Sequence, residues 1–429
     1  MELHLQILID GSWQRAALLA FSSVTEGRRG GCAFEYEHDY LVRWIADPPP
    51  LAAASLVLPV EFGPRVWRRW PAFLDDIRPM GNARGWWLRR LNLPDVVASD
   101  FEILRHGTIA PVGNLRIEES VPEKRAHPKR FPRQAVIDRE HAFIEYAVNA
   151  GAQVGGATGA GGDSPKLLLR CDDTEQVWID VWQDDLACPD RHYLVKFARS
   201  RSERDRNILR SEYVYYKALA ALGIETIPQD GLALHEGPSG PSLWLPRFDV
   251  ARRDDGRELR YGLESLYSLL GAEPGSFQKH QAALAALASV IPKEDWPTVR
   301  LEYLKRDLLN LVFGNSDNHC RNIAVLRTDS TVRLAPIFDF APMKMDLEGI
   351  TRTTTWEGCE AGGEVDWETL LQSFGPAETS LRKGLHELAL RLRDLPELLK
   401  GLGLPEETLN FAGLDLRGTE KRLLTWGLL

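Results

Sequence analysis

Long apolar runs are missing from this 429-residue chain; the longest are pieces such as LAAASLVLP, well short of the roughly 18 residues a spanning helix needs. No membrane attachment is therefore expected. The opening stretch MELHLQILIDGSW carries an acid at Glu2 and reads as strand and turn, without a signal-peptide pattern. Cysteine is sparse. Cys32, Cys171, Cys188, Cys320 and Cys359 are odd in number, scattered, and lack CxxC spacing. That disfavours a disulfide frame or a cysteine zinc site and favours reduced thiols in a cytoplasmic protein. An excess of positive charge is absent as well. A net charge of −9 argues against coating nucleic acid by bulk electrostatics, so no direct nucleic-acid binding is expected. No repeat of fixed period occurs. What is present, 44% hydrophobic and 26% charged residues, is ordinary for a globular chain, and the length suits more than one domain.

Residues 1–120 contain short mixed segments, LQILIDG, SLVLPVEF and NLRIEES, with a helical stretch expected around RVWRRWPAFLDDI. They read as a small α+β domain. The basic stretch 121–133, VPEKRAHPKRFPR, holds three prolines and reads as a linker. A solvated connector is the plainer reading; a DNA-associated regulator would rest on this stretch alone. Residues 134–250 begin with QAVIDREHAFIEYAVNAGA, expected as one helix, and continue through the strand-like QVWIDVW, RHYLVKFA, DGLALHEG and SLWLPRFDV. Between the second and third of these lies the helix SERDRNILRSEYVYYKALAALGI. Residues 251–429 are mostly helical, as in HQAALAALASVI and RLEYLKRDLLNLVF. A β-rich lobe joined to a helical lobe leaves a cleft between them, a usual place for a ligand.

Three stretches could carry chemistry. The first, GGATGAGGDSPK, crowds five glycines into 155–162, and glycines let backbone N–H groups approach phosphate oxygens. It fits neither GxxxxGK[ST] nor GxGxxG, where Ser164 stands in place of the third glycine, so a flexible loop is the competing reading. Lys166, entering a strand, is well placed to reach a bound anion. The second is Lys196 in the apolar YLVKFA, with Glu212 on the next helix as candidate partner. A strand lysine pinned by a helix glutamate can hold nucleotide phosphates, although a lone strand lysine often only snorkels. The third, FGNSDNHCRNIAVL, sets Asp317 and Asn322 five residues apart, the spacing of the kinase pattern HRDxxxxN. An aspartate there orients an acceptor hydroxyl, and the asparagine carbonyl reaches the metal that bridges phosphates. IAVLR, the turn TDST and VRLAPI then read as a hairpin delivering Asp339, a second metal-binding acid. Each residue alone could be turn chemistry. Together, and in this order, they favour phosphotransfer. His319 reads as a structural donor to a backbone carbonyl.

These segments resemble the HipA family of bacterial toxin–antitoxin serine/threonine kinases. GNSDNHCRNIAVL and VRLAPIFDFAP are similar to that family's catalytic and metal-binding segments, AGGDSPKLLLR to its Gly-rich loop, HYLVKFA to its lysine strand, and LWLPRFDV to its hinge. The likeness runs from about residue 150 to 345, with a fainter one in the first domain. It implies an α+β fold with a bilobal protein-kinase-like core, a β-rich N-lobe and an α-helical C-lobe, behind a small α+β N-terminal domain. It also implies ATP and Mg²⁺ as cofactors, Asp317 as catalytic aspartate, and Asn322 and Asp339 as metal ligands. Gly161, Gly162, Ser164, Lys166 and Lys196 would meet the nucleotide phosphates, the backbone of Pro246 to Phe248 the adenine, and Asp249 the ribose. The implied partners are a protein substrate, in known cases an aminoacyl-tRNA synthetase, and a DNA-binding antitoxin. A small-molecule kinase on the same core, or an ATP-binding regulator without transfer, stays open. One departure stands out: Gly159 occupies the place of the family's autophosphorylated serine, with Thr158 adjacent.

Overall fold

The computed structural model describes residues 1–109, 111–121, 129–149, 165–179 and 186–429. Gly159, Gly161, Gly162, Ser164 and Thr158 therefore lie outside the described residues, as does most of the expected linker.

The first domain is a five-stranded antiparallel sheet of order β4-β3-β2-β1-β5. Its strands are β1 (Glu2–Ile9), β2 (Ser12–Phe21), β3 (Cys32–Tyr36), β4 (Arg65–Trp67) and β5 (Leu115–Ile117). Period-two alternation buries Leu3, Leu5 and Ile7 of β1 on one face, where Phe34, Phe73 and Leu104 complete a core of their own. The turn between β1 and β2 is Asp10–Gly11, both at positive φ, as a two-residue hairpin turn requires. RVWRRWPAFLDDI is not a helix. Val66 and Trp67 belong to a strand that pairs with β3, Pro71 cannot sit inside a helix, and one turn (Leu74–Ile77) is all that forms.

The β-rich lobe is a six-stranded sheet of order β10-β11-β9-β7-β8-β6. It is made of β6 (Phe131–Pro132), β7 (Lys166–Cys171), β8 (Gln176–Ile179), β9 (Arg191–Phe197), β10 (Ala233–Gly237) and β11 (Gly240–Pro246). The stretch expected as one long helix before it is two, Arg133–Ile137 and His141–Asn149. Arg139 adopts φ 54, and Glu140 N closes onto the Ala135 carbonyl, a helix stop that carries no glycine to announce it. Helix Glu203–Ala221, capped by Ser202, packs across β11.

The second lobe is helical, with its core along Tyr303, Leu304 and Leu308 of helix Trp296–Phe313 and Leu385, Leu388 and Leu392 of helix Glu378–Leu392. Helix Trp296–Phe313 stops at Gly314, φ 70. A Cβ at that glycine would meet Leu414 Cδ2 at 2.2 Å, so both conformation and space demand glycine. The chain next forms the loop 315–323, strand Ala324–Arg327, a turn closed by Thr328 and Thr331, and strand Val332–Leu334. This hairpin joins strand Gly262–Ser265 in a three-stranded sheet and delivers Asp339. Among the described residues no helix is long and apolar enough to cross a membrane, and all five cysteines are unpaired.

Candidate active site

Lys166 of β7 and Lys196 of β9 stand directly opposite each other in the antiparallel register. Like charges so placed repel, and both lysines are buried, Lys196 to 3% exposure. Carboxylates resolve the conflict. Lys196 Nζ lies 2.5 Å from Glu212 Oε1 and also donates to Asp339 Oδ1, while Lys166 Nζ lies 3.6 Å from Asp339 Oδ2. Burial opposes the Lys196 charge, but Asp339 and Glu212 outweigh it and raise its pKa. For Lys166 burial prevails and, with Lys196 nearby, lowers it. Asp339 is disfavoured by burial, yet the two lysines hold its carboxyl below the usual range. Its backbone sits at φ 53. For an aspartate that conformation costs on the order of 1–3 kcal/mol and is typical of functional sites. Tyr216 holds the turn: its hydroxyl donates to Glu212 Oε1 (2.7 Å) and accepts from Phe340 N (3.3 Å).

The loop after Gly314 presents Asp317 to the same cleft. Its N–H bonds Asn315 Oδ1 (3.3 Å), and Asn315 is held in turn by Asn310. Burial raises the Asp317 carboxyl, against the pull of His319. His319 faces that carboxylate, Nε2 to Oδ1 3.4 Å, rather than a backbone carbonyl. Asn322 is oriented from both ends. Its N–H bonds the His319 carbonyl (2.9 Å) and its Nδ2 the Asp317 carbonyl (2.8 Å). That leaves Oδ1 buried with no partner among the described residues.

Two hollows meet at Lys196 and Asp339. One, of about 970 Å³, is polar and lined by Lys166, Lys196, Glu212, Asp317, His319 and Asp339. The other, of about 470 Å³, is apolar and lined by Leu168, Ile227, Leu245, Phe248, Leu263 and Phe338, along with Pro246 and Asp249. Asn322 faces a third, smaller hollow that shares Asp317. Asp249 is spoken for: Arg247 grips both its oxygens (3.0 and 2.6 Å) and Gly113 N donates to Oδ2 (2.7 Å). Burial works against its ionisation, but Arg247 keeps its pKa low. Sequence reasoning missed Val112, which enters the apolar hollow from the first domain. An apolar residue between a proline and a glycine sends no signal of such a role. It also missed Arg199 at the mouth of the polar hollow, paired with Asp346 and Glu348.

A hard divalent cation fits these residues. Oxygen donors suit it, and the orphaned Asn322 Oδ1 and the Asp339 carboxylate supply two. Among the described residues no cluster of three His, Cys, Asp or Glu could hold a metal alone, so the remaining ligands would be phosphate and water oxygens.

Comparison with known proteins bears on the fold and the family. HipA of Shewanella oneidensis, solved in complex with HipB and its operator DNA, superposes with a TM-score of 0.67 at 15% identity, over 99% of this chain and 96% of that one. The fold is thus the kinase-like α+β fold of HipA. The Sinorhizobium fredii protein named "Putative kinase Y4mE" is 25% identical over 194 residues, 42% of this chain and less than half, 44%, of that protein's length. A model of the HipA-like C-terminal domain matches residues 158–394, more than half of the chain. The chain belongs to the HipA-like family.

Proposed function

We propose that the protein is a Mg²⁺- and ATP-dependent serine/threonine protein kinase, transferring the γ-phosphoryl group to a protein hydroxyl. The two-part cleft carries this reading: an apolar hollow shaped for a base opens, at Lys196 and Asp339, onto a polar one. The backbone of Pro246 to Phe248 borders the base, and Lys166 and Lys196 neutralise the phosphates. Asn322 and Asp339 would hold the metal, which supplies charge neutralisation across the β- and γ-phosphates when bound. Asp317 accepts the proton of the acceptor hydroxyl; that oxygen bonds to the γ-phosphorus as the bond to the β–γ bridging oxygen breaks and ADP leaves. A DNA-binding protein partner, of the kind HipB is to the Shewanella protein, belongs to the same proposal.

Intact mass after incubation with Mg-ATP and cell extract, beside Asp317→Ala, tests the reading. Phosphate on the protein or on an extract protein, abolished by Asp317→Ala, supports it. A nucleotide-induced thermal shift with no turnover would leave an ATP-binding regulator instead.

A further inference from the structure

Arg321 directly precedes the metal-type Asn322, yet its side chain leaves the cleft. It is 4% exposed, and Nη1 donates 2.9 Å to the carbonyl of Asp75, in the single helical turn Leu74–Ile77 of the first domain. The adjacent Asp76 carboxylate, also buried, accepts from Ser265 N at 2.8 Å. Ser265 begins helix Leu266–Leu270, whose first N–H groups bond the loop in return: Leu266 N to the Ile323 carbonyl (3.0 Å) and Tyr267 N to the Cys320 carbonyl (3.3 Å). Asp75 and Asp76 thus grip residues 320–323 by two routes, once through Arg321 and once through Ser265. Buried and bonded to a carbonyl of another domain, Arg321 is an anchor and not a surface charge. Nearby, Glu264 accepts from Ser55 Oγ and Leu56 N, and Arg327 donates to the Ala53 carbonyl, so the contact between the first domain and the three-stranded sheet extends beyond Arg321.

We propose that the first domain is part of the catalytic apparatus: Arg321, held by the Asp75 carbonyl while Asp76 holds Ser265 beside the loop, is a positioning residue that sets where Asn322 presents its free carbonyl oxygen. This rests on the kinase reading above.

The test compares Arg321→Ala, Arg321→Lys and Asp76→Asn with Ser55→Ala, which weakens the same domain contact away from the loop. The readouts are melting temperature, kcat and KM for ATP, and Mn²⁺ binding to the ADP-loaded protein by electron paramagnetic resonance. Arg321→Ala is expected to lower kcat by about 100-fold, the scale of a small misplacement of reacting groups, while KM for ATP stays nearly constant. Its Mn²⁺ affinity should fall by about 10- to 100-fold, as when a ligand's supporting partner is lost. Arg321→Lys should recover part of both. Ser55→Ala should lower the melting temperature and leave kcat and Mn²⁺ binding close to wild type. If Arg321→Ala fails to fold, Asp76→Asn, which keeps an acceptor for Ser265 N, carries the test in its place. The proposal is overturned if kcat and Mn²⁺ binding survive loss of the anchor, or if Ser55→Ala damages both equally. A wild type without phosphoryl transfer would sink the kinase reading alone; the Mn²⁺ series would still decide the role of Arg321.

Discussion

The two halves of the cleft are built by opposite means. The apolar half is assembled from residues far apart in the chain, Val112, Leu168, Ile227, Leu263 and Phe338, each an ordinary core residue where it stands. The polar half concentrates buried charge, with two lysines set on Asp339 and Glu212 set on Lys196. Shape suffices for the first, because a base needs only a flat apolar slot and a few edge contacts. The second must hold charges that water no longer stabilises, and each depends on its neighbour. Damage to the polar half should therefore strike turnover and stability, and damage to the apolar half should strike nucleotide affinity.

The largest effect should separate chemistry from binding within the polar half. Asp317→Ala is expected to lower kcat by about 10²- to 10⁴-fold, the usual yield of a positioned acid–base group, with ADP affinity by calorimetry near wild type. A matching loss of affinity would break the division drawn above. Next, Lys196→Met leaves Glu212 buried without its cation and removes a partner of Asp339. Urea unfolding should show a loss of about 3–5 kcal/mol, as when one member of a buried pair is removed. A loss no larger than that of a surface substitution would mean that these charges are less dependent on one another than their geometry suggests. The apolar half should answer differently. Val112→Phe intrudes on the hollow from the first domain, and overpacking of about 1–3 kcal/mol should raise KM for ATP by about tenfold with kcat little changed.

A pH-dependent effect lies beneath the polar half. Burial pushes the Asp76 carboxyl up to about 6, with Glu264 adding to the rise and Arg321 and Ser265 opposing it. Its folded pKa thus exceeds its unfolded one, so its contribution to stability is full below about pH 4 and is lost as pH rises through about 6. Melting curves of wild type and Asp76→Asn should show the aspartate losing ground by about 2–3 kcal/mol between those limits, with a flat difference above. A difference independent of pH would place Asp76 in a more hydrated setting.

What could be read from the chain follows the same division. Lys166, Lys196, Asp317 and Asp339 attract notice because charges inside or at the ends of apolar runs need a reason, and the structure gathers them in one place. The bilobal α+β architecture was legible from the shift between strand-rich and helix-rich composition. Val112 was not legible, since nothing local marks a valine as lining a distant hollow. Arg321 stood inside the most conspicuous motif and still passed unnoticed, because its partner Asp75 lies in another domain. Asp249, expected at the ribose through the likeness to the hinge, lines the apolar hollow and is held there by Arg247 and Gly113. The helices expected at 65–77 and 134–152 fail for different reasons: Pro71 is a stop visible in the first stretch, whereas the left-handed Arg139 that divides the second carries no local signal.

Gly314 also bears on how the protein is made. The glycine that opens the loop 315–323 is walled by Leu414, a residue added to the growing chain long after Asp317, Asn322 and Asp339 have left the peptidyl-transferase centre. A nascent polypeptide halted before that leucine would carry every ionisable group of the cleft and lack the surface on which the loop rests. The loop's conformation thus depends on a residue made about a hundred positions after it.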